Sequence, residues 1–170
     1  MTDQVNGRAG QTVLRWWSRL QPAPNGQGGD RAALARLRRC ATALEAASEE
    51  ATLDLAHQLK LGWPQLDRVA IAAAVLAHVR SHAAGLPAAR QLAPPNGRMS
   101  WLRLRRLLQA DTDDAQITAF RRAAALADGS LNVADLGESL LDWSDARRRR
   151  WIYEFHQSSA PAEDAEEPAA

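Results

Sequence analysis

Arginine is the residue whose type and spacing offer chemistry in this chain. Twenty of the 21 basic residues are arginine, Lys60 being the one lysine. They bunch as Arg38-Arg39, Arg105-Arg106, Arg121-Arg122 and the run Arg147-Arg148-Arg149-Arg150. The planar guanidinium presents a fork of donors that matches phosphate oxygens and stacks on bases, which the point charge of lysine does less well. Such forks spaced over a folded surface suit a nucleic-acid partner. A charged run also serves as a plain solvated helix face, so the placement of each guanidinium decides between the two.

Catalysis needs a constellation, and the residue types here do not assemble one. Gly26-Gln27-Gly28-Gly29 follows no strand pattern and lacks the lysine of a phosphate-binding loop. His78 and His82 stand at i,i+4, a spacing that can hold a metal, but no Glu follows His78 as a metalloprotease helix requires. His57 and His156 have no evident partners. Asp111, Asp113 and Asp114 fall at a helix start, where carboxylates stabilise the macrodipole, and are read as capping residues rather than a metal cluster. Cys40, the single cysteine, lies on the apolar side of its segment and reads as a core thiol. The expectation is a protein without catalytic residues, metal or cofactor.

The elements that must position these arginines are helical. Hydrophobic residues make up 46% of the chain but aromatics only 5%, so Ala and Leu supply most of the apolar surface, a helix-forming composition. Apolar periodicity and capping signals predict an all-α fold of about eight helices in two small bundles joined by a Pro/Gly-rich loop. The N-terminal bundle spans 11–84 and the C-terminal bundle 98–157; the loop Gly85–Gly97 holds Pro87, Pro94-Pro95 and Asn96-Gly97. Helix starts are expected at Asp30, at the Thr42/Glu45 capping box, at Ser100, at Asp111 or Thr112, at Asn132 with Asp135, and at Ser144. The segment Asp67–Ala83 is apolar nearly all round and is expected to be central.

Residues 1–10 read as a disordered N-terminus without the apolar core of a secretory signal. Residues 158–170 read as a disordered acidic tail carrying Glu163, Asp164, Glu166 and Glu167. Setting those four acids aside changes the net charge from +1 to +5, with 21 basic against 16 acidic residues. No apolar run reaches the ~18 residues a membrane span needs, so a cytoplasmic protein without a membrane partner is expected.

At 100° per residue the arginines separate into inward and outward sets. Arg31, Arg38 and Arg39 share one face, opposite Ala33, Leu34 and Leu37. Arg103, Arg105 and Arg106 lie on the wet side of a helix whose Trp101, Leu104, Leu107 and Leu108 face inward. Arg122 faces out, whereas Arg121 lies nearer Ile117 and Phe120. In the last helix Trp151, Ile152 and Phe155 mark the buried side with Arg148 towards it, while Arg149 and Arg150 lie opposite, beside Tyr153. The candidate nucleic-acid surface is therefore Arg31, Arg38, Arg39, Arg103, Arg105, Arg106, Arg122, Arg149 and Arg150. Trp101, Trp143 and Trp151 read as packing residues. Trp16 and Trp17 point ~100° apart on one helix, which leaves one of them as a candidate partner interface.

In order and spacing these residues resemble the CasB family, the small subunit of the type I-E CRISPR Cascade complex. The likeness runs from Trp16-Trp17-x-x-Leu20 through Gly29-Asp30-Arg31-Ala32-x-Leu34, Arg98-Met99-Ser100, Arg103 and Arg106-Leu107-Leu108-Gln109-Ala110-Asp111 to Arg121-Arg122. It closes on Leu140-Leu141-Asp142-Trp143 and the arginine-rich helix ending in Tyr153-Glu154-Phe155, so it covers roughly residues 12 to 157. The resemblance implies an all-helical, non-enzymatic subunit, paired head to tail in a crRNA-guided complex. It implies contacts to backbone subunits and the crRNA–target duplex, with a basic surface that helps hold the displaced DNA strand of the R-loop. The run Arg147–Arg150 is denser than the family leads one to expect, and serves either strand binding or a contact to the large subunit. The alternative from the residues alone is a helical protein–protein adaptor whose arginines pair with acidic partner surfaces.

Overall fold

Short polar side chains begin most of the helices. In the computed structural model, which describes residues 2–159 with side chains from Gly7 onward, the first helix, α1, runs Thr2–Leu20. Asp30 opens α2 (Arg31–Arg39) by accepting from the Ala33 N–H at 2.9 Å. The Thr42/Glu45 capping box opens α3 (Ala43–Ala47) and is followed by α4 (Glu50–Gln58). A single 3-10 turn at Trp63–Gln65 leads into α5 (Leu66–Leu76). After α6 (Ala88–Leu92), Ser100, Thr112 and Asn132 cap α7 (Trp101–Leu108), α8 (Asp113–Leu126) and α9 (Val133–Leu141). Ser144 Oγ accepts from the Arg147 N–H at 3.3 Å at the start of α10 (Asp145–Ser159). Each of these side chains satisfies a donor that the first helical turn leaves open.

The fold is all-α, with ten α-helices among the described residues where about eight are expected by periodicity. The Thr42 turn propagates into α3, and the Pro/Gly loop contains α6. That helix forms because Ala88, Ala89 and Leu92 find a buried seat, overriding the flanking breakers.

α5 is the centre of the molecule. Every residue from Val69 to Leu76 is fully buried, and its alanines let α3, α4, α8 and α9 approach closely. It ends at Leu76 rather than near Ala83 because tertiary partners capture the chain that follows. Ala77 O accepts from Arg38 Nε at 2.7 Å, and the Arg80 N–H donates to Gly129 O at 2.8 Å. Ser81–His82 (β1) then pairs in parallel with Ser130–Leu131 (β2), Ser81 opposite Ser130. Two-residue strands carry no alternation that a sequence pattern can register.

The two expected halves meet in one continuous core. α1 from the N-terminal half packs along α9 from the C-terminal half, and α3 and α5 pack on α8. At the α1–α9 crossing a Cβ on Gly137 would lie 2.5 Å from Val13 Cγ1, so glycine sets how closely the helices approach. The Gly10 N–H donates to Glu138 Oε1 at 3.1 Å nearby. α1 begins at Thr2, within the segment 1–10 expected to be disordered. At the other end α10 continues to Ser159, past the expected boundary at 157. The acidic residues of the expected tail lie outside the described residues. No helix among those described is long and apolar enough to cross a membrane.

Candidate nucleic-acid interface

Several arginines are occupied with the ends of neighbouring helices. The last turn of a helix leaves carbonyls without partners and carries partial negative charge, so a guanidinium there satisfies both. Arg121 on α8 reaches two helix ends at once: Nη1 donates to Cys40 O at 2.7 Å, Nη2 to Leu37 O at 3.0 Å, and Nε to Ala74 O at 3.2 Å. Arg68 donates to Leu140 O from Nε at 3.0 Å and to Gln116 Oε1 from Nη1 at 2.7 Å. Burial holds the pKa of both guanidiniums below the ordinary arginine value. Arg38, expected on the nucleic-acid surface, spends its Nε on Ala77 O at the end of α5. Arg98 pairs with Asp128 at 2.6 Å beside the end of α8.

A second set is paired with carboxylates or turns. Arg36 pairs with Glu49 at 2.8 Å. Arg150, also expected on the outer surface, donates to Glu154 at 2.7 Å and Asp135 at 3.2 Å. Burial works against its charge, but Glu154 and Asp135 outweigh that and raise its pKa. Arg31 donates to Gly26 O in the loop before α2. In the α10 run it is Arg147 that is buried, while Arg148 is half-buried over the Trp143 ring, 5.9 Å from its centroid, and 3.7 Å from Asp145.

Three of the remaining arginines converge on one cleft. α7 and α8 are consecutive helices joined by a short turn, and between them lies a cleft of about 880 Å³. Arg103 and Arg106, three residues apart on α7, and Arg122 on α8 line it. All three are exposed, and none has an ion-pair partner among the described residues. Leu107, Ala119 and Ala123 supply an apolar floor. Ser100 caps α7 through the Arg103 N–H at 3.3 Å, which fixes the register that turns Leu104 and Leu107 inward and the arginines out. Asp111 and Asp114 lie at the turn end of the cleft, where Asp114 Oδ1 accepts from the Ala43 N–H at 2.9 Å.

Arg31, Arg38 and Arg150, despite their partners, and Arg39, Arg105 and Arg149 are all exposed as expected, and Tyr153, at 64%, stands beside Arg149 on α10. The expectation fails for both tryptophans of α1. Trp16 and Trp17 are buried, their Nε1–H groups donating to Ala51 O at 2.8 Å and Val79 O at 3.1 Å. Neither forms a partner surface, because each indole finds a carbonyl inside the core that satisfies its polar edge. Trp101 and Ile152, expected inside, are 47% and 37% exposed, although the Trp101 ring still lies 5.9 Å from Phe155. Trp143 and Trp151 do pack in the core, edge to face with Phe120.

Among the described residues no group of three His, Cys, Asp or Glu could hold a metal ion. His78 and His82 do not share a helix, since α5 ends before them. Instead His82 Nδ1 accepts from the Val133 N–H at 3.1 Å, and burial lowers its pKa. Cys40 is buried, which raises its thiol pKa, as fits a packing residue.

The family model of CRISPR-associated protein Cse2 matches residues 33–156. No curated protein sequence matches the chain. Among solved structures, a chain in the crystal structure of E. coli Cascade bound to a PAM-containing dsDNA target is similar. It has a TM-score of 0.64 at 20% identity, over 86% of this chain and 95% of that chain. At that identity the likeness is one of fold.

Proposed function

Given that the chain belongs to the Cse2 family of CRISPR-associated proteins, we propose that it is a non-catalytic small subunit of a crRNA-guided type I-E Cascade complex, working in the cytoplasm. It binds nucleic acid without sequence preference and steadies the displaced DNA strand of the R-loop. Its partners are the backbone and large subunits, crRNA, target DNA and a second copy of itself. The likeness to a chain of a DNA-bound Cascade supports this setting.

The observation that carries the reading is the α7–α8 cleft, where Arg103, Arg106 and Arg122 stand without carboxylate partners while other arginines cap helices or pair internally. Three guanidiniums along one groove match successive phosphates of a strand, and phosphate contacts position a strand without reading it. Guide pairing supplies the sequence choice in such a complex, so backbone contacts suffice. The apolar floor offers sugars and base faces a dry seat. Arg39, Arg105 and Arg149 extend the basic surface, whereas Arg31, Arg38 and Arg150 act first as structural residues. The adaptor reading keeps one observation in its favour: Trp63 at 86% and Leu44 at 80% exposure are large apolar side chains left to solvent.

Binding of the isolated chain to labelled single strands of unrelated sequence, followed by fluorescence anisotropy across a salt series, tests the reading. The expected Kd lies near ~10⁻⁴–10⁻⁶ M, equal among sequences and weaker with salt. No binding at low salt favours the adaptor, and divalent-metal-dependent cleavage of the strand contradicts the non-catalytic assignment.

A further inference from the structure

We propose that the acidic C-terminal segment of this chain, residues 160–170, docks into the α7–α8 cleft and competes there with nucleic acid. The competition rests on the strand-binding reading of that cleft; the docking does not. The segment carries Glu163, Asp164, Glu166 and Glu167 and no basic residue. The cleft presents three guanidiniums that no carboxylate occupies among the described residues. Arg39, Arg105 and Arg149 are also exposed without ion pairs among the described residues, but Arg103, Arg106 and Arg122 are the three that share one cleft.

Geometry delivers the segment to the right place. The last turn of α10 is pinned beside the start of α7: Asn96 Nδ2 donates to Ser158 Oγ at 2.8 Å, and Ser158 Oγ donates to Arg90 O at 3.3 Å. One turn earlier Phe155 packs against Trp101, the first residue of α7. From Asn96 only three residues of chain lead to Met99, which lines the cleft, so Asn96 lies within roughly 11 Å of its rim and the exit point is one side-chain hydrogen bond beyond Asn96. An extended chain from Ser159 brings Glu163 about 14 Å out and Glu167 about 28 Å out, enough to pass along the groove. Arg103 and Arg106 are separated by a rise of only about 4.5 Å on α7. Because α8 runs back antiparallel to α7, Arg122 and Leu126 also lie towards the Met99 end. The four acids are thus within reach of Arg103, Arg106 and Arg122. Asp111 and Asp114 make the turn end of the cleft unfavourable to an acidic chain.

A tethered ligand at an effective concentration of about 1 mM, holding the cleft with comparably weak affinity, lowers apparent strand affinity by roughly two- to fivefold. The test uses the full chain carrying a nitroxide at Ala165→Cys; Cys40 is buried, which directs the label to the new thiol. Paramagnetic broadening of the Arg103, Arg106 and Arg122 amides at low salt is expected. It should vanish at high salt and in the variant E163Q/D164N/E166Q/E167Q. That neutralised variant, without the label, should bind single-stranded DNA roughly two- to fivefold more tightly, and the gain should disappear in an Arg103→Ala/Arg106→Ala/Arg122→Ala background. Absence of broadening on α7 and α8, broadening on another surface, or unchanged affinity on neutralisation each overturns the proposal. Broadening is read without DNA, so the two readings separate. Docking without any strand binding overturns the cleft's function and with it the competition, whereas strand binding without docking overturns the tail alone.

Discussion

Arg121 and Arg122 are neighbours in sequence with opposite roles, and separating them is the sharpest structural test. Arg121→Met keeps an apolar stem in place and removes the guanidinium that bridges Leu37 O, Cys40 O and Ala74 O. Three carbonyls at the ends of α2 and α5 lose a charged donor. A buried acceptor left unpaired costs about 1–3 kcal/mol, but water and relaxation recover part of this. Burial already penalises the Arg121 charge, as its lowered pKa shows, so removing the charge returns something as well. A net loss of about 3 kcal/mol follows, which for a chain of this size lowers Tm by roughly 6–12 °C. Arg122→Ala touches only the cleft and should change stability by less than about 0.5 kcal/mol, or about 2 °C at most. Thermal unfolding followed by circular dichroism at fixed pH and salt reads both, with anisotropy on a labelled single strand as the second axis. Arg122→Ala should weaken strand binding and lower the salt slope by about 0.7 while Tm holds. If Arg121→Met melts with the parent protein, or Arg122→Ala melts as early as Arg121→Met, the division into capping and binding arginines is wrong.

Gly137→Ala should destabilise by about 1–3 kcal/mol through overpacking, since its Cβ would meet Val13 Cγ1 at 2.5 Å, and Val13→Ala should restore most of the loss in a urea titration. Trp17→Phe should cost about 1–2 kcal/mol by orphaning Val79 O, and because Trp17 is buried, assembly with other subunits should persist in a pull-down. Acidification should weaken the fold through His82. Burial lowers its folded pKa below the usual 6.5, so the unfolded chain binds the proton more readily; its contribution is full above about 6.5 and is lost as pH falls through the lower folded value. His82→Gln keeps an acceptor for the Val133 N–H without titrating, and should show a flatter fall in urea midpoint between pH 7.5 and 5.5 than the parent. Glu138 works in the opposite sense. Burial raises its carboxyl pKa, so the penalty on the ionised form is relieved as pH falls through the folded value, and the two groups partly offset.

The helix starts were legible because a cap is a local device: Asp30, Thr42 with Glu45, Ser100, Thr112 and Asn132 each bond a donor within three residues. The central place of α5 was legible for the same kind of reason, since a helix apolar on every side has to be surrounded. The fates of the arginines were not. Arg38 is exposed as its helix face implies, but that its Nε also reaches Ala77 O depends on where α5 ends, and that depends on Gly129, far along the chain. Arg68 and Leu140 likewise meet only once α9 has docked. A helical wheel gives a direction but no neighbour, so it named Arg148 as the inward member of the run when Arg147 is the buried one. It also left one of Trp16 and Trp17 outside because it could not see Ala51 O and Val79 O. Arg103, Arg106 and Arg122 were each marked as outward-facing, but their meeting in one cleft follows only from α7 folding back on α8.

The most direct test of the central claim is the salt dependence of target DNA binding by the assembled complex carrying Arg103→Ala/Arg106→Ala/Arg122→Ala in this subunit. Normal assembly, weaker DNA binding and a slope of log K against log salt reduced by about 2 are expected, from three lost single-strand phosphate contacts at about 0.7 each. A variant that binds DNA with unchanged affinity and slope, yet fails to join the complex, would place these arginines in a protein interface and contradict the account.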